Sequence, residues 1–232
     1  MKFHNLHKNQ QCIIIGNGPS LSKVDMNIFK SVTTFGVNKI FLLYPKTLWR
    51  PTYHFFLDPY VIRQSYDAIQ KYKNDSSFFL NFDNVGDLYK REPSFYYYRS
   101  QNVLGFNKFL PSMTVSDGQS VTYVVLQFAY IMGFKTVYLF GIDHNHHFVS
   151  NTPSKEIITD SHPKNHFDPN YFETGQVWWK PDKDYIEMAY RLAKFFYERD
   201  DRKIYDCTIN GNLNIFEKMD YQEALLRIHQ SH

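Results

Sequence analysis

Cysteine is scarce in this chain: Cys12 and Cys207 are the two among 232 residues. Two thiols so far apart build no disulfide framework, and a reducing cytosol is the simplest setting. Cys12, inside an apolar run, reads as an inert buried thiol. An excess of charge of one sign is also missing. The formal net charge is +3, which makes no electrostatic case for nucleic acid, and no nucleic-acid partner is expected. Long hydrophobic runs are absent as well. No segment approaches the ~18–20 apolar residues that span a bilayer. The opening MKFHNLHKNQQ lacks the apolar stretch of a secretory signal. The expected location is therefore cytoplasmic, with any membrane contact peripheral, at the inner face. Neither an internal repeat nor a low-complexity linker is present. Two common nucleotide signatures are missing too. In Gly16-Asn17-Gly18-Pro19-Ser20, Pro19 and Ser20 stand where the third glycine of the dinucleotide fingerprint would be approached. No lysine follows Gly18 at the Walker position.

What remains is rich in core-forming residues. Hydrophobic residues make up 43% and aromatics 18%, enough for one α/β domain over residues 1–232. Short β-branched and aromatic runs predict strands at Cys12–Ile15, Thr33–Val37, Tyr53–Leu57, Phe78–Asn81, Thr136–Phe140 and Lys203–Tyr205. Helical spacing predicts helices at Ser120–Met132, Asp184–Arg199 and Tyr221–His229, with Gly133 as a stop. This alternation predicts a mostly parallel sheet with helices on its faces. Ligands of such sheets bind beyond the carboxyl ends of the strands. The turns there are Gly16–Ser20, Asn38, Asp58 and Gly141–His147. The segment Glu92–Ser120 reads as a long loop. Residues 144–181, rich in His, Asn, Pro and Gly, read as a flap or small lid over the carboxyl edge.

The turn after Cys12–Ile15 has two readings. Its glycines let the backbone approach a ligand, and its N–H groups with the following helix start favour an anion; or it is a plain strand–helix turn. Gly118-Gln119-Ser120 sits at a predicted helix start, where phosphate or carboxylate is welcome. Asp143-His144-Asn145-His146-His147 precedes Asp160, His162, His166 and Asp168. A metal centre needs three or four converging ligands, and this spacing matches no strong zinc pattern. A polar flap with histidines in solvent is the alternative. The aromatics Tyr96–Tyr98, Phe167, Tyr171, Phe172, Trp178 and Trp179 form either a stacking platform or a core beneath that flap.

The motifs also carry a family likeness. Gly16-Asn17-Gly18-Pro19-Ser20-Leu21 after an apolar strand resembles the start of bacterial lipooligosaccharide sialyltransferases. Phe35-Gly36-Val37-Asn38 resembles that family's second strand, which ends in an amide that touches the nucleotide. Gly133 to Asp143, ending Gly141-Ile142-Asp143, resembles its helix–strand unit with a terminal Gly-Ile-Asp. The same elements occur in a wider group that includes flagellin-modifying glycosyltransferase-like and 6-hydroxymethylpterin diphosphokinase (MptE)-like proteins. His144, the stretch His166-Phe167-Asp168-Pro169 and Trp178/Trp179 are more similar to this wider group.

The resemblance implies a Rossmann-like sheet and a nucleotide site. Gly16, Asn17, Gly18 and Ser20 would meet the phosphate or sugar of the donor, and Asn38 the nucleotide. Gly118, Gln119 and Ser120 would receive phosphate at the helix start. Asp58 stands where the sialyltransferases have an amide before proline. A carboxylate accepts but does not donate, which suits ribose hydroxyls or an amino group. Asp143 would bind ribose or base, with His144 beside it on phosphate. The plain alternatives are a turn former at Asn17, a helix cap at Ser20 and an Asx turn at Asp58. The sialyltransferases place a catalytic histidine in a loop of about this location, as general base on an acceptor hydroxyl. His166 is the first choice for that role, because Phe167 and Pro169 restrict the chain beside it; His162 is second. Asp182-Lys183-Asp184 imitates the Asp-x-Asp metal motif of sugar-nucleotide transferases, but acids before a helix are caps. No metal ligand is assigned. The expected function is a glycosyltransferase that joins a nucleotide-activated sugar, of the CMP-activated sialic-acid-like kind, to a glycan acceptor without a cofactor. The runner-up is pyrophosphate transfer from ATP to a pterin with Mg²⁺. A nucleotide-binding protein without catalysis is the third reading, and oligomeric state is left open.

Overall fold

The computed structural model describes residues 2–86, 92–109, 113–145, 156–159 and 165–230. The apolar run Gln11–Ile15 forms β1 in the interior of a nine-stranded sheet. Its companions are β2 (Thr34–Val37), β3 (Tyr53–Phe56), β4 (Ser77–Asn81), β5 (Tyr96–Gln101), β6 (Thr114–Ser116), β7 (Thr136–Phe140), β10 (Lys203–Asp206) and β11 (Glu217–Lys218). The order is β11-β10-β7-β1-β2-β3-β4-β5-β6, and every pairing in it is parallel. The chain leaves β1 toward β2 on one side and returns as β7 on the other. The strand order therefore reverses beside β1, which is where such sheets open a crevice for ligands. Ile15 is level with Gly36 of β2 and Phe140 of β7, so three strands end together.

β1 is apolar on both faces because both are covered. Cys12 and Ile14 join the core cluster beneath α3 (Val121–Ile131), while Ile13 and Ile15 join the cluster on the opposite face. Ten residues of α3, Thr122 through Ile131, are buried, since the helix lies between the sheet and α4 (Lys183–Arg199). On α4 the buried positions are Ile186, Ala189, Tyr190, Ala193 and Tyr197, one face at helical spacing. The last helix, α5 (Tyr221–Gln230), buries Ala224 and Ile228.

The expected strands and long helices are present, and the long-loop reading of Glu92–Ser120 is corrected. That segment supplies β5 and β6, which extend the sheet at its edge. Tyr96–Tyr98 is strand, not a ligand platform. Tyr98 is buried and its hydroxyl donates to the Phe56 carbonyl at 2.8 Å. Two short helices, α1 (Pro59–Gln64) and α2 (Tyr66–Tyr72), follow β3. Within 144–181, β8 (Glu156–Ile158) pairs antiparallel with β9 (Val177–Trp179).

Candidate functional site

At the end of β1 the backbone turns against β7. Gly16 N–H donates to the Phe140 carbonyl at 2.8 Å and Gly18 N–H to the Gly141 carbonyl at 2.9 Å. A Cβ on Gly16 would lie 2.4 Å from the Gly141 oxygen, and one on Gly18 would lie 1.8 Å from Oδ2 of Asp143. These two glycines are required by close approach. Pro19 then starts a short 3-10 turn, Pro19–Lys23.

Asp143 follows β7 and is buried. Its Oδ1 accepts from Ser20 N–H at 3.0 Å and its Oδ2 from the Ser20 hydroxyl at 2.7 Å. Burial raises the Asp143 pKa, and the two Ser20 donors oppose that rise. The predicted ribose or base ligand and the predicted phosphate contact therefore hold each other across the crevice.

Asn17 crosses the other way. Its Nδ2 donates to the Val37 carbonyl at the end of β2, at 2.9 Å. Its Oδ1 is buried and accepts no hydrogen bond among the described residues, and the same is true of Oδ1 of Asn38. Asn38 has φ +49°, a backbone that asparagine tolerates better than most residues. Beneath it lies His54, fully buried. His54 Nε2 meets the Asn38 carbonyl at 2.7 Å and Nδ1 meets the Tyr44 hydroxyl at 3.3 Å. Burial depresses the His54 pKa to about 3, so the ring is neutral.

Asp58 caps α1. Its Oδ1 accepts from the N–H groups of Tyr60 (2.7 Å) and Val61 (3.1 Å), so the plain Asx reading describes what it does within the chain. Burial raises its pKa against those N–H groups and the charge of Lys39. Gly118 and Gln119 are consecutive left-handed residues, at φ +52° and +53°. They bring Ser120 to the start of α3, where its hydroxyl pairs with Tyr190 at 2.9 Å rather than capping the helix. The first N–H groups of α3 thus receive no side-chain cap from Ser120 and favour an anion.

His144, buried at φ +56°, places Nε2 3.1 Å from Oε1 of Glu187 on α4. His166 lies flat on Tyr171, with ring centroids 3.6 Å apart and planes 1° apart; Phe172 is edge-on at 5.3 Å. The adjacent Phe167 N–H donates to the Asn17 carbonyl at 2.9 Å. His162 falls outside the described residues. Asp182 accepts from Tyr185 N–H at 3.1 Å as the cap of α4, and among the described residues no three His, Cys, Asp or Glu side chains converge as a metal centre would need.

A cavity of about 650 Å³ is bounded by Gly16, Asn17, Gly18, Asn38, Asp58, Gln119, Ser120, Asp143, His144 and His166. Ser20 and Gly118 are not among its lining residues. Phe172 and Trp178 of the predicted aromatic platform line it, as do Asn84 and Tyr190, which the sequence reading did not single out for a ligand. Asn84 is a site residue that the sequence reading missed, because it sits beyond β4 in a turn without a family motif; its amide donates to the Leu57 carbonyl at 2.6 Å. Trp179 lines the cavity too, and is mostly exposed.

A family model described as 6-hydroxymethylpterin diphosphokinase MptE-like matches residues 1–147. Among solved structures, the chain is similar to the monofunctional alpha-2,3-sialyltransferase Cst-I from Campylobacter jejuni, at 18% identity and TM-score 0.53, over 93% of this chain and 82% of that one. It is likewise similar to the sialyltransferase CstII from the same organism in complex with a substrate analogue, cytidine-5'-monophosphate: 17% identity, TM-score 0.54, 93% of this chain and 87% of that one. A CstII structure with trisaccharide acceptor and CMP gives 16% identity and TM-score 0.53, over 92% and 88%. These likenesses are likenesses of fold. No curated protein sequence matches the chain, and among the described residues no helix is long and apolar enough to cross a membrane.

Proposed function

We propose that this chain, which belongs to the MptE-like family, is a glycosyltransferase that uses a nucleotide-activated sugar in the assembly of a cell-surface glycan. The observation that carries the reading is the pair of buried amide oxygens, Asn17 Oδ1 and Asn38 Oδ1, without donors among the described residues, at the ends of adjacent strands. Buried acceptors cost about 1–3 kcal/mol each when unpaired. Amino or hydroxyl groups of a nucleoside would satisfy them. Across the same cavity the start of α3 suits the phosphate, and a volume of about 650 Å³ accommodates a nucleotide with a sugar. The sialyltransferase neighbours, one described with a substrate analogue, cytidine-5'-monophosphate, and one with CMP and a trisaccharide acceptor, make a CMP-activated sialic-acid-like donor the first choice.

The chemistry is a single displacement. The acceptor hydroxyl oxygen bonds to the anomeric carbon as the bond from that carbon to the phosphate oxygen breaks. The hydroxyl proton passes to the imidazole of His166, and the nucleoside monophosphate leaves toward the N-terminus of α3. His144, held by Glu187, faces the phosphate side.

The family match itself favours a second reading, pyrophosphate transfer from ATP with Mg²⁺. Its metal would need carboxylate oxygens aimed into the cavity. Both oxygens of Asp143 already accept from Ser20, and Oδ1 of Asp58 accepts two N–H groups. Asp117 and Asp182 line the cavity as well, each with Oδ1 accepting an N–H group, and the reading stands second. A thermal-shift panel of CMP, CDP, UDP, GDP, AMP and ATP, each with and without Mg²⁺, decides between them. CMP should give the largest shift, independent of Mg²⁺. A larger, Mg²⁺-dependent shift with ATP would favour pyrophosphate transfer instead.

A further inference from the structure

Lys39 is the residue after Asn38, and a lysine is seldom found where this one is. It is the second residue of the 3-10 segment Asn38–Lys46 and is 5% exposed. Its ammonium is not left unpaired there. Nζ donates to the Tyr171 carbonyl at 2.7 Å, to Oε1 of Gln64 at 2.9 Å and to Oε1 of Gln176 at 3.1 Å. Three hydrogens meet three acceptors, which is what a buried ammonium requires. The same nitrogen lies 5.5 Å from the ring centre of Tyr171 and 5.1 Å from that of Phe172. Two of its acceptors belong to the 165–179 segment, and the third belongs to α1, which also grips that segment through Gln64 Nε2 and the Val177 carbonyl at 2.9 Å.

The contact carries outward to the cavity. Tyr171, pinned by its carbonyl from Lys39, is the surface on which His166 stacks at 3.6 Å. On its other side His166 is tethered through Phe167 N–H to the Asn17 carbonyl. The imidazole is thus located by two anchors, one on the β1 turn and one on Lys39. We propose that Lys39 is a positioning residue: by holding the Tyr171 backbone and ring, it fixes the orientation of the His166 imidazole at the cavity. The role of that imidazole as proton acceptor rests on the function proposed above; its placement by Lys39 does not. Burial lowers the Lys39 pKa to about 8, against the raising effect of Glu173 and Asp58, so the ammonium form at neutral pH is maintained by its partners.

The test is Lys39→Met, which keeps an unbranched four-atom stem and removes the ammonium with every donor. The readout is the imidazole C–H spectrum of the whole chain. In the wild type the signal that disappears in His166→Gln should be shifted upfield by the ring current of Tyr171. In Lys39→Met that signal should return toward the position of an exposed histidine. Turnover should fall by roughly tenfold or more with the KM for the nucleotide donor changed by less than about twofold, the pattern of a misaligned reacting group rather than a lost binding contact. If Lys39→Met does not fold, Lys39→Gln, which retains two hydrogens for three acceptors, replaces it with the same expected direction. An unmoved His166 signal in the folded variant overturns the proposal, and so does a wild-type signal without the upfield shift. If the signal moves as expected while His166→Ala leaves turnover intact, the positioning by Lys39 stands and the proton-acceptor role of His166 falls.

Discussion

Ser20 donates twice to Asp143, through its backbone N–H at 3.0 Å and its hydroxyl at 2.7 Å. The pair joins the turns that follow β1 and β7 across 123 residues of sequence. It closes the floor of the crevice where the strand order reverses. A buried carboxylate held by one residue is sensitive to any change in that residue. Ser20→Ala keeps the backbone donor and loses the hydroxyl, so it should cost about 1.5–3 kcal/mol, the range for hydrogen bonds to charged groups. Gly18→Ala should cost more, because its Cβ would sit 1.8 Å from Oδ2 and the carboxylate itself must move. Urea midpoints of the two variants measure this, and a milder loss in Gly18→Ala would contradict the close packing described here.

His54 gives a pH signature. Its pKa falls from 6.5 to about 3 on burial, and its Nε2 meets the Asn38 carbonyl at 2.7 Å. A base with a depressed folded pKa leaves the unfolded chain binding more protons. Stability is therefore complete above about pH 6.5 and is lost as pH falls toward 3, with a slope near 1.4 kcal/mol per pH unit from this group. The buried carboxylates Asp58 and Asp143 have raised pKa values and act in the opposite direction, so the difference between two proteins is the proper readout. His54→Gln keeps an N–H for Asn38 and removes the titration. The wild type should lose more stability than this variant between pH 6.5 and pH 4; parallel curves would mean that His54 is not buried neutral.

The central frame was legible because its signals are local. The run at Cys12–Ile15, the stop at Gly133 and the helical face of Asp184–Arg199 each follow from short-range pattern, and β1, β7 and α4 stand where they point. β5 and β6 were not legible. Tyr96–Gln101 is a run of aromatics and polar groups whose strand character comes from pairing with β4 rather than from alternation. The turns at the strand ends, read from the sequence as a candidate site, border one cavity. Their hydrogen-bond partners were not legible, since Ser20 and Asp143, or Lys39 and Tyr171, meet only through the fold. Lys39 left one trace in the sequence, a charge inside Phe35-Gly36-Val37-Asn38-Lys39-Ile40, a stretch otherwise without charge.

Asn17 tests the nucleotide site directly. Its Nδ2 is committed to the Val37 carbonyl and its Oδ1 has no donor among the described residues. Asn17→Ala should weaken binding of the best nucleotide in the panel by roughly 1–3 kcal/mol, the worth of a buried bond to a ligand. Calorimetric titration against wild type provides the number. Equal affinities would remove Asn17 from the ligand contacts and leave it a structural bridge between β1 and β2.

His166 tests the chemistry. Its ring is stacked on Tyr171 and flanked by Phe172, and it borders the same cavity as Asn17 and Asn38. A general base contributes typically ~10²–10⁴-fold to rate. His166→Ala should lower turnover by about that factor, measured with a saturating nucleotide-sugar donor and acceptor. Nucleotide affinity should stay nearly unchanged, because the contacts assigned to the nucleotide lie on the β1 and β2 turns and at the start of α3. The variant leaves Tyr171 pinned by Lys39, so the wall of the cavity keeps its shape and the loss reports on the imidazole. If nucleotide binding disappears instead, His166 is a ligand contact. If turnover is unaffected, proton transfer lies elsewhere, and the ATP- and Mg²⁺-dependent reading becomes the stronger of the two.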